Sequence, residues 1–202
     1  MTLNRTAAPG EDTGPQPVVT ATAIPAFSAA RWARAVIRTT RPRQWPKNLL
    51  VFAAPLAGAS LGRNDGFGYA LLAMFAFGCA SAAVYFVNDV VDVERDRRHP
   101  VKRNRPIASG ALPEQHAVVL AVLAALFAVG VGVVIREPLL VAAASVYLCT
   151  SFLYSFRLKH VPYVEMVIVA SGFVLRLLGG AAATHVKPSV GSCWCAASAR
   201  SA

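Results

Sequence analysis

Asn88, Asp89, Asp92 and Asp96 stand within nine residues of one another, in "NDVVDVERD", directly after an apolar run. On a helix Asn88, Asp92 and Asp96 fall at i, i+4 and i+8, with Asp89 three residues before Asp92, so all four oxygen-bearing side chains share one face. Like charges at that spacing destabilise an isolated helix and ask for a counter-cation. Hard oxygen ligands select magnesium or manganese rather than zinc. Magnesium favours one or two carboxylates completed by waters and phosphate oxygens, which a diphosphate substrate would supply. Lys102, Arg103 and Arg105 follow in "VKRNRP" and could hold the remaining phosphate charge by charge-assisted hydrogen bonds. A generic charge run at a membrane exit would make only a solvated, salt-bridged loop. A lone D-x-x-D would not separate the two readings; four residues in this register, followed by "KRNRP", form a specific pattern.

The elements that must position these groups are membrane helices. Of 202 residues, 55% are hydrophobic, and the mean hydropathy is +0.49. Apolar windows near 49–62, 67–87, 115–135, 138–156 and 162–183 predict five spans, the first of them short, in an all-α integral membrane bundle. A net charge of +10 could suggest nucleic acid, but the cations fall in alternate gaps between the apolar runs and no nucleic-acid module is present. Their bias places the N-terminal side, the 88–114 loop and the 157–161 loop in the cytoplasm. Residues 1–24, rich in Pro, Thr, Gly and Ala, are expected to be disordered. Residues 28–40 set Arg31, Arg34 and Arg38 on one helical face and Trp32 and Val36 on another, as suits a helix at headgroup level. The last span carries Glu165 and Arg176, which on one face of a helix would line a polar pocket, since ionisable groups in a membrane seldom face lipid. Neither the four cysteines nor the four histidines show a metal or redox spacing.

"NDVVDVERD" with "RP" at 105–106 resembles the first aspartate-rich motif of the UbiA superfamily of intramembrane prenyltransferases. "RPRQWPKNLLVFAAPLAG" at 41–58, "HPVKRNRPIASG" at 99–110 and "YSFRLKHVPYVEMVIVASGFVLRLLGG" at 154–180 resemble the branch that joins 5-phosphoribosyl diphosphate to a polyprenyl phosphate, a precursor of cell-wall arabinan. The resemblance covers 41–184. It implies a magnesium-dependent (or manganese-dependent) transferase of the inner membrane, with its site facing the cytoplasm, a lipid phosphate acceptor and a soluble diphosphate donor. It further implies that Asn88, Asp89, Asp92 and Asp96 hold the metal, with the three aspartates central to catalysis. Lys47, Lys102, Arg103, Arg105, Tyr154 and Lys159 would contact substrate, as would Glu165, where the branch usually presents Asp; Arg176, which fits the branch's "LR", would pair with a substrate phosphate or stabilise the helix bundle. Lys47, Tyr154 and Lys159 also have plain readings as interfacial anchors and topology signals.

Two other readings stand beside this one. The same motif could bind a prenyl diphosphate for transfer to an aromatic acceptor of the quinone or haem type, although "QWPKN" and "RLKH" favour the phosphoribosyl branch. An inactive membrane fragment is the other, because the resembled family has about nine spans of the kind counted above. On five spans, Glu165 and Arg176 would be left facing lipid. Residues 185–202, "HVKPSVGSCWCAASARSA", lose the apolar character abruptly and are expected to be an atypical tail of frameshift or premature-stop origin. No feature sets the oligomeric state or the polyprenyl length.

Overall fold

The computed structural model describes residues 28–62, 65–159 and 163–186. The expected disordered N-terminal stretch and nearly all of the expected atypical tail lie outside the described residues. The described chain is helical: α1 (Ala29–Thr39), a 3-10 segment (Pro42–Phe52), α2 (Ala53–Ala57), α3 (Gly66–Val91), α4 (Val93–Arg98), α5 (Glu114–Val134), α6 (Pro138–Leu153) and α7 (Val164–Ala183). Among the described residues four helices are long and apolar enough to cross a membrane: α3, α5, α6 with its continuation to Leu158, and α7.

The expected span at 49–62 is corrected. Those residues form the end of the 3-10 segment, the five-residue α2 and a turn, with no helix long enough to cross. Pro46 stands inside the preceding 3-10 segment, Pro55 stands in α2, and Gly58 caps its end. Each proline removes a backbone donor and crowds the preceding turn, which an apolarity window does not register.

In lipid there is no hydrophobic force between helices, so close approach through small residues holds the bundle. α3 presents Ala73, Ala76, Ala80 and Ala83 to the interior, and α5 presents Ala117, Ala121 and Ala128. Leu123, Leu126, Phe127 and Val134 are exposed on the outer surface, as a lipid-facing helix requires. Gly180 marks the tightest crossing. A Cβ there would lie 1.9 Å from the Val51 carbonyl oxygen, so only glycine lets α7 meet the 3-10 segment.

α1 lies against one end of the bundle. Ala35 is buried with Ala82, Phe86, Val93, Ile107 and Leu112, while Trp32 and Val36 pack on the same cluster. Arg31, Arg34 and Arg38 are exposed. The loop after α4 is pinned into that cluster by Ile107 and Leu112, both fully buried, and this fixes Arg105 two residues upstream.

Candidate functional site

The aspartates sit where α3 passes into α4. The helix is interrupted at Asp92 alone, and its hydrogen bonds continue across the break, Asp92 N to Asn88 O at 3.0 Å and Asp96 N to Asp92 O at 2.8 Å. One face therefore carries the acids through the junction, as their spacing requires. Asp89 is 4% and Asp96 1% exposed, unusual for carboxylates unless they are paired.

Cations supply that pairing. Arg105 Nη1 donates to Asp96 Oδ2 at 2.6 Å and to Asp89 Oδ1 at 3.3 Å, so one nitrogen bridges acids from two helices. Arg41 Nη2 donates to the same Asp89 oxygen at 2.7 Å, and its guanidinium lies 4.7 Å from the ring centroid of Tyr85. Asp92 accepts from Arg95 Nη2 at 2.6 Å and from Lys159 Nζ. Burial pushes the Asp92 carboxyl up, but the Lys159 hydrogen bond and charge, with those of Arg95, outweigh it and leave the pKa below its ordinary value. Around this cluster Arg97 braces the loop, pairing with Glu94 at 2.6 Å and Glu114 at 2.8 Å.

Lys159 reaches Asp92 because α6 ends in a π-helical turn, Tyr154–Leu158, which carries the chain back toward α3. Tyr154 in that turn lies beside Glu165 in the first turn of α7. The structure thus gathers Asp89, Asp92, Asp96, Arg105 and Lys159 into one cluster and sets Tyr154 with Glu165 as a separate pair. Lys47 and Arg103 are exposed; Lys102 is half-buried, and its backbone N–H, like that of Val101, donates to His99 Nδ1. The Asn88 side chain makes no hydrogen bond to the described residues, although its carbonyl joins the helix to Asp92.

Arg176 is placed differently from the expectation. It is 7% exposed and does not share a pocket with Glu165, which is exposed in the first turn of α7. Its Nε donates to Asn48 at 2.9 Å, Nη1 to the Gly172 carbonyl at 2.8 Å, and Nη2 to Ser81 at 2.7 Å and Tyr147 at 3.2 Å. Tyr147 also stacks on the guanidinium at 4.8 Å. Four of its five N–H groups are spent on the bundle, and the arginine that would have faced lipid is instead enclosed.

Would these residues suit a metal? Among the described residues no three His, Cys, Asp or Glu side chains stand together as a ready-made site. Two observations still fit a divalent cation. Asp89 and Asp96 converge on one positive nitrogen of Arg105, and Asp96 Oδ1 is buried without a hydrogen-bond partner. Two hard carboxylates, to be completed by phosphate oxygens and water, suit magnesium.

A groove of about 210 Å³ runs beside α3, lined by Thr40, Trp45 and Asn48 on one side and by Met74, Phe75, Gly78, Cys79 and Ala82 on the other. Phe75, Gly78 and Ala82 continue through Tyr85 to Asp89 on a single helical face. An almost wholly apolar channel and a charged cluster therefore adjoin along one helix.

Comparison with known proteins bears on what such a site is for. The UbiA prenyltransferase family matches residues 48–199. The chain belongs to that family. It is 42% identical over 158 residues to the decaprenyl-phosphate phosphoribosyltransferase of Mycobacterium tuberculosis strain H37Rv, covering 76% of this chain and 52% of that protein. To the enzyme of the same name from Mycolicibacterium smegmatis it is 40% identical over 160 residues, covering 76% and 49%. The chain thus spans about half the length of the curated relatives it matches. The UbiA homolog from Archaeoglobus fulgidus, solved with DMAPP and Mg2+ bound, superposes with a TM-score of 0.67 at 20% identity, over 80% of this chain and 58% of that one. That likeness establishes the fold, an intramembrane helical bundle of the UbiA type.

Sequence reasoning missed Arg41, Tyr85 and Arg95 as members of the cluster. Arg41 opens the stretch at 41–58, but it lies 48 residues from Asp89, and that distance leaves no local spacing to find. Arg95 had a usable signal, since it lies three residues after Asp92 on the same helix.

Proposed function

We propose that this protein takes part in transfer of a phosphoribosyl group from 5-phosphoribosyl diphosphate to a polyprenyl phosphate, decaprenyl phosphate in the relatives' naming. The observation that carries the reading is the adjacency of buried carboxylates, ringed by Arg and Lys, to an apolar groove on the same face of α3. A multiply charged soluble donor and a long-chain lipid phosphate need such neighbours. The 42% identity to a protein named for this reaction supports the choice of donor.

Asp89 and Asp96 would hold magnesium, with Asp92 and Asn88 completing the polar face. When bound, such an ion supplies charge neutralisation for the diphosphate and so eases its departure. Arg105 and Lys159, now engaged with the carboxylates, lie where they could also grip phosphate oxygens. Lys47, Lys102 and Arg103 supply further positive charge around the entry. The C1–O bond to diphosphate breaks, a lipid phosphate oxygen bonds to C1, and diphosphate leaves. The attacking phosphate is ionised at neutral pH, so the residues need not include a general base. Trp45 and Phe75 along the groove would keep water from the reacting carbon. Positive charge flanking the apolar runs supports a site on the cytoplasmic side of the inner membrane.

The test uses membranes holding this chain, phosphoribosyl diphosphate labelled in the ribose, and decaprenyl phosphate. Label moving to lipid, abolished by Asp96→Asn, is the expected result. Turnover of geranyl diphosphate with an aromatic acid, and none of phosphoribosyl diphosphate, would overturn it.

A further inference from the structure

Arg41 enters the cluster from outside the aspartate motif, at the corner where α1 gives way to the 3-10 segment. Its backbone is left-handed, φ 52° and ψ 68°, a conformation that a non-glycine residue adopts only when its surroundings enforce it. The corner is closed on both sides: Arg41 N donates to Arg38 O at 3.3 Å, and Gln44 N donates to Arg41 O at 2.8 Å. The bend delivers the guanidinium to Asp89, where it competes with Arg105 for a single carboxylate oxygen. Tyr85 stacks on one face of the group, which fixes its plane. Of its five N–H groups only those on Nη2 have an acceptor among the described residues, and the side chain is 36% exposed. Neighbouring Thr40 lines the apolar groove. A planar donor fork, held rigid, half open, and adjoining both the carboxylates and the groove, is suited to a phosphate oxygen pair.

We propose that Arg41 is a diphosphate-binding residue, and that it exchanges the Asp89 carboxylate for a phosphate oxygen when a divalent cation takes that carboxylate. The exchange follows from competition. Asp89 Oδ1 already holds two guanidinium nitrogens, and an ion coordinated there displaces at least one of them. Among the described residues the other acids of the cluster, Asp92 and Asp96, are already engaged by Arg95, Lys159 and Arg105. A diphosphate arriving with the ion supplies the replacement. Arg41 thereby opposes binding of the bare ion and favours binding of the ion with its diphosphate. The inference rests on the reading of Asp89 and Asp96 as metal ligands.

The two effects have opposite signs, which a merely structural role would not produce. The test uses the full chain in nanodiscs, Mn2+ followed by electron paramagnetic resonance, and inorganic pyrophosphate as probe, so that neither turnover nor the identity of the transferred group matters. In Arg41→Gln, Mn2+ alone binds about tenfold more tightly, while pyrophosphate at saturating Mn2+ binds about tenfold more weakly. Arg41→Lys, which keeps the charge but not the fork, leaves Mn2+ affinity near that of the parent and weakens pyrophosphate severalfold; it carries the test should Arg41→Gln not fold. Equal affinities in parent and variants, or a loss of both together, would overturn the proposal. So would unchanged pyrophosphate affinity with weakened binding of decaprenyl phosphate in the nanodisc, which would assign Arg41 to the acceptor. A parent chain that binds no Mn2+ would instead refute the metal-ligand reading itself.

Discussion

Arg176 Nε donates to Asn48 Oδ1 across 2.9 Å, joining α7 to the residue that follows Lys47, 128 positions earlier. With Ser81 and Tyr147 on the same guanidinium, three membrane helices and the 3-10 segment meet at one charged group. Among the described residues no carboxylate pairs with it; neutral oxygens and the Tyr147 and Phe77 rings surround it.

Arg176→Leu should therefore act on stability first. It strands Asn48 Oδ1 and leaves Ser81 and Tyr147 without their strongest donor, for a loss of about 1–3 kcal/mol. Arg176→Lys should be nearly as costly, because an ammonium cannot reproduce the fork. Thermal unfolding in detergent measures both. Wild-type unfolding combined with lost turnover would make Arg176 a substrate ligand after all.

Gly180→Ala should also destabilise the bundle, by about 1–3 kcal/mol, since its methyl would fall on the Val51 carbonyl rather than on a side chain that can turn aside. Gly68→Ala in α3, where an added Cβ meets nothing within 4 Å, is the matched control and should unfold like the parent. The two variants compared in one melting series decide the point.

Asp92 governs a pH dependence. Its carboxyl titrates below the ordinary 3.8, so the pairing with Lys159 and Arg95 contributes in full above that value and is lost as pH falls through the depressed one. The difference in unfolding midpoint between parent and Asp92→Asn should be flat from neutral pH to about pH 4 and shrink only below it. A difference that already fades between pH 7 and pH 5 would contradict the assignment.

Asp96→Asn separates the buried acid from its arginine. The amide cannot balance Arg105, and a neutral carboxamide oxygen holds a divalent ion less tightly than the carboxylate it replaces. Mn2+ affinity should fall about tenfold or more, read by paramagnetic resonance without any turnover. Retained affinity would place the ion elsewhere.

Much of this was legible in the residues because helical spacing is local. The register of Asn88, Asp92 and Asp96 needed only that α3 continue, and a one-residue break at Asp92 left it intact. Lys159 was named from a resemblance, while its partner depended on the turn after α6. Arg41 was not legible: its meaning depends on a left-handed corner and on a contact 48 residues away. The apolar stretch at 49–62 was misread for a different reason. Hydropathy reports which solvent a segment tolerates, and Pro46 and Pro55 bear on what shape it takes there. Glu165 and Arg176 lie about 16 Å apart along one helix, and each found its partners on a different neighbour.

The π-helical turn at Tyr154–Leu158 sets Lys159 by counting residues rather than by touching it. Such a turn winds wider than an α-helix, so its five residues deliver Lys159 at an angle that an α-helical continuation of the same length would not reach. Rewinding those five residues as an α-helix would carry the ammonium away from Asp92 with every carboxylate of the cluster unchanged. The site is thus exposed to a kind of damage that substitution of its carboxylates never samples: a change in how the chain winds at a turn that supplies none of them.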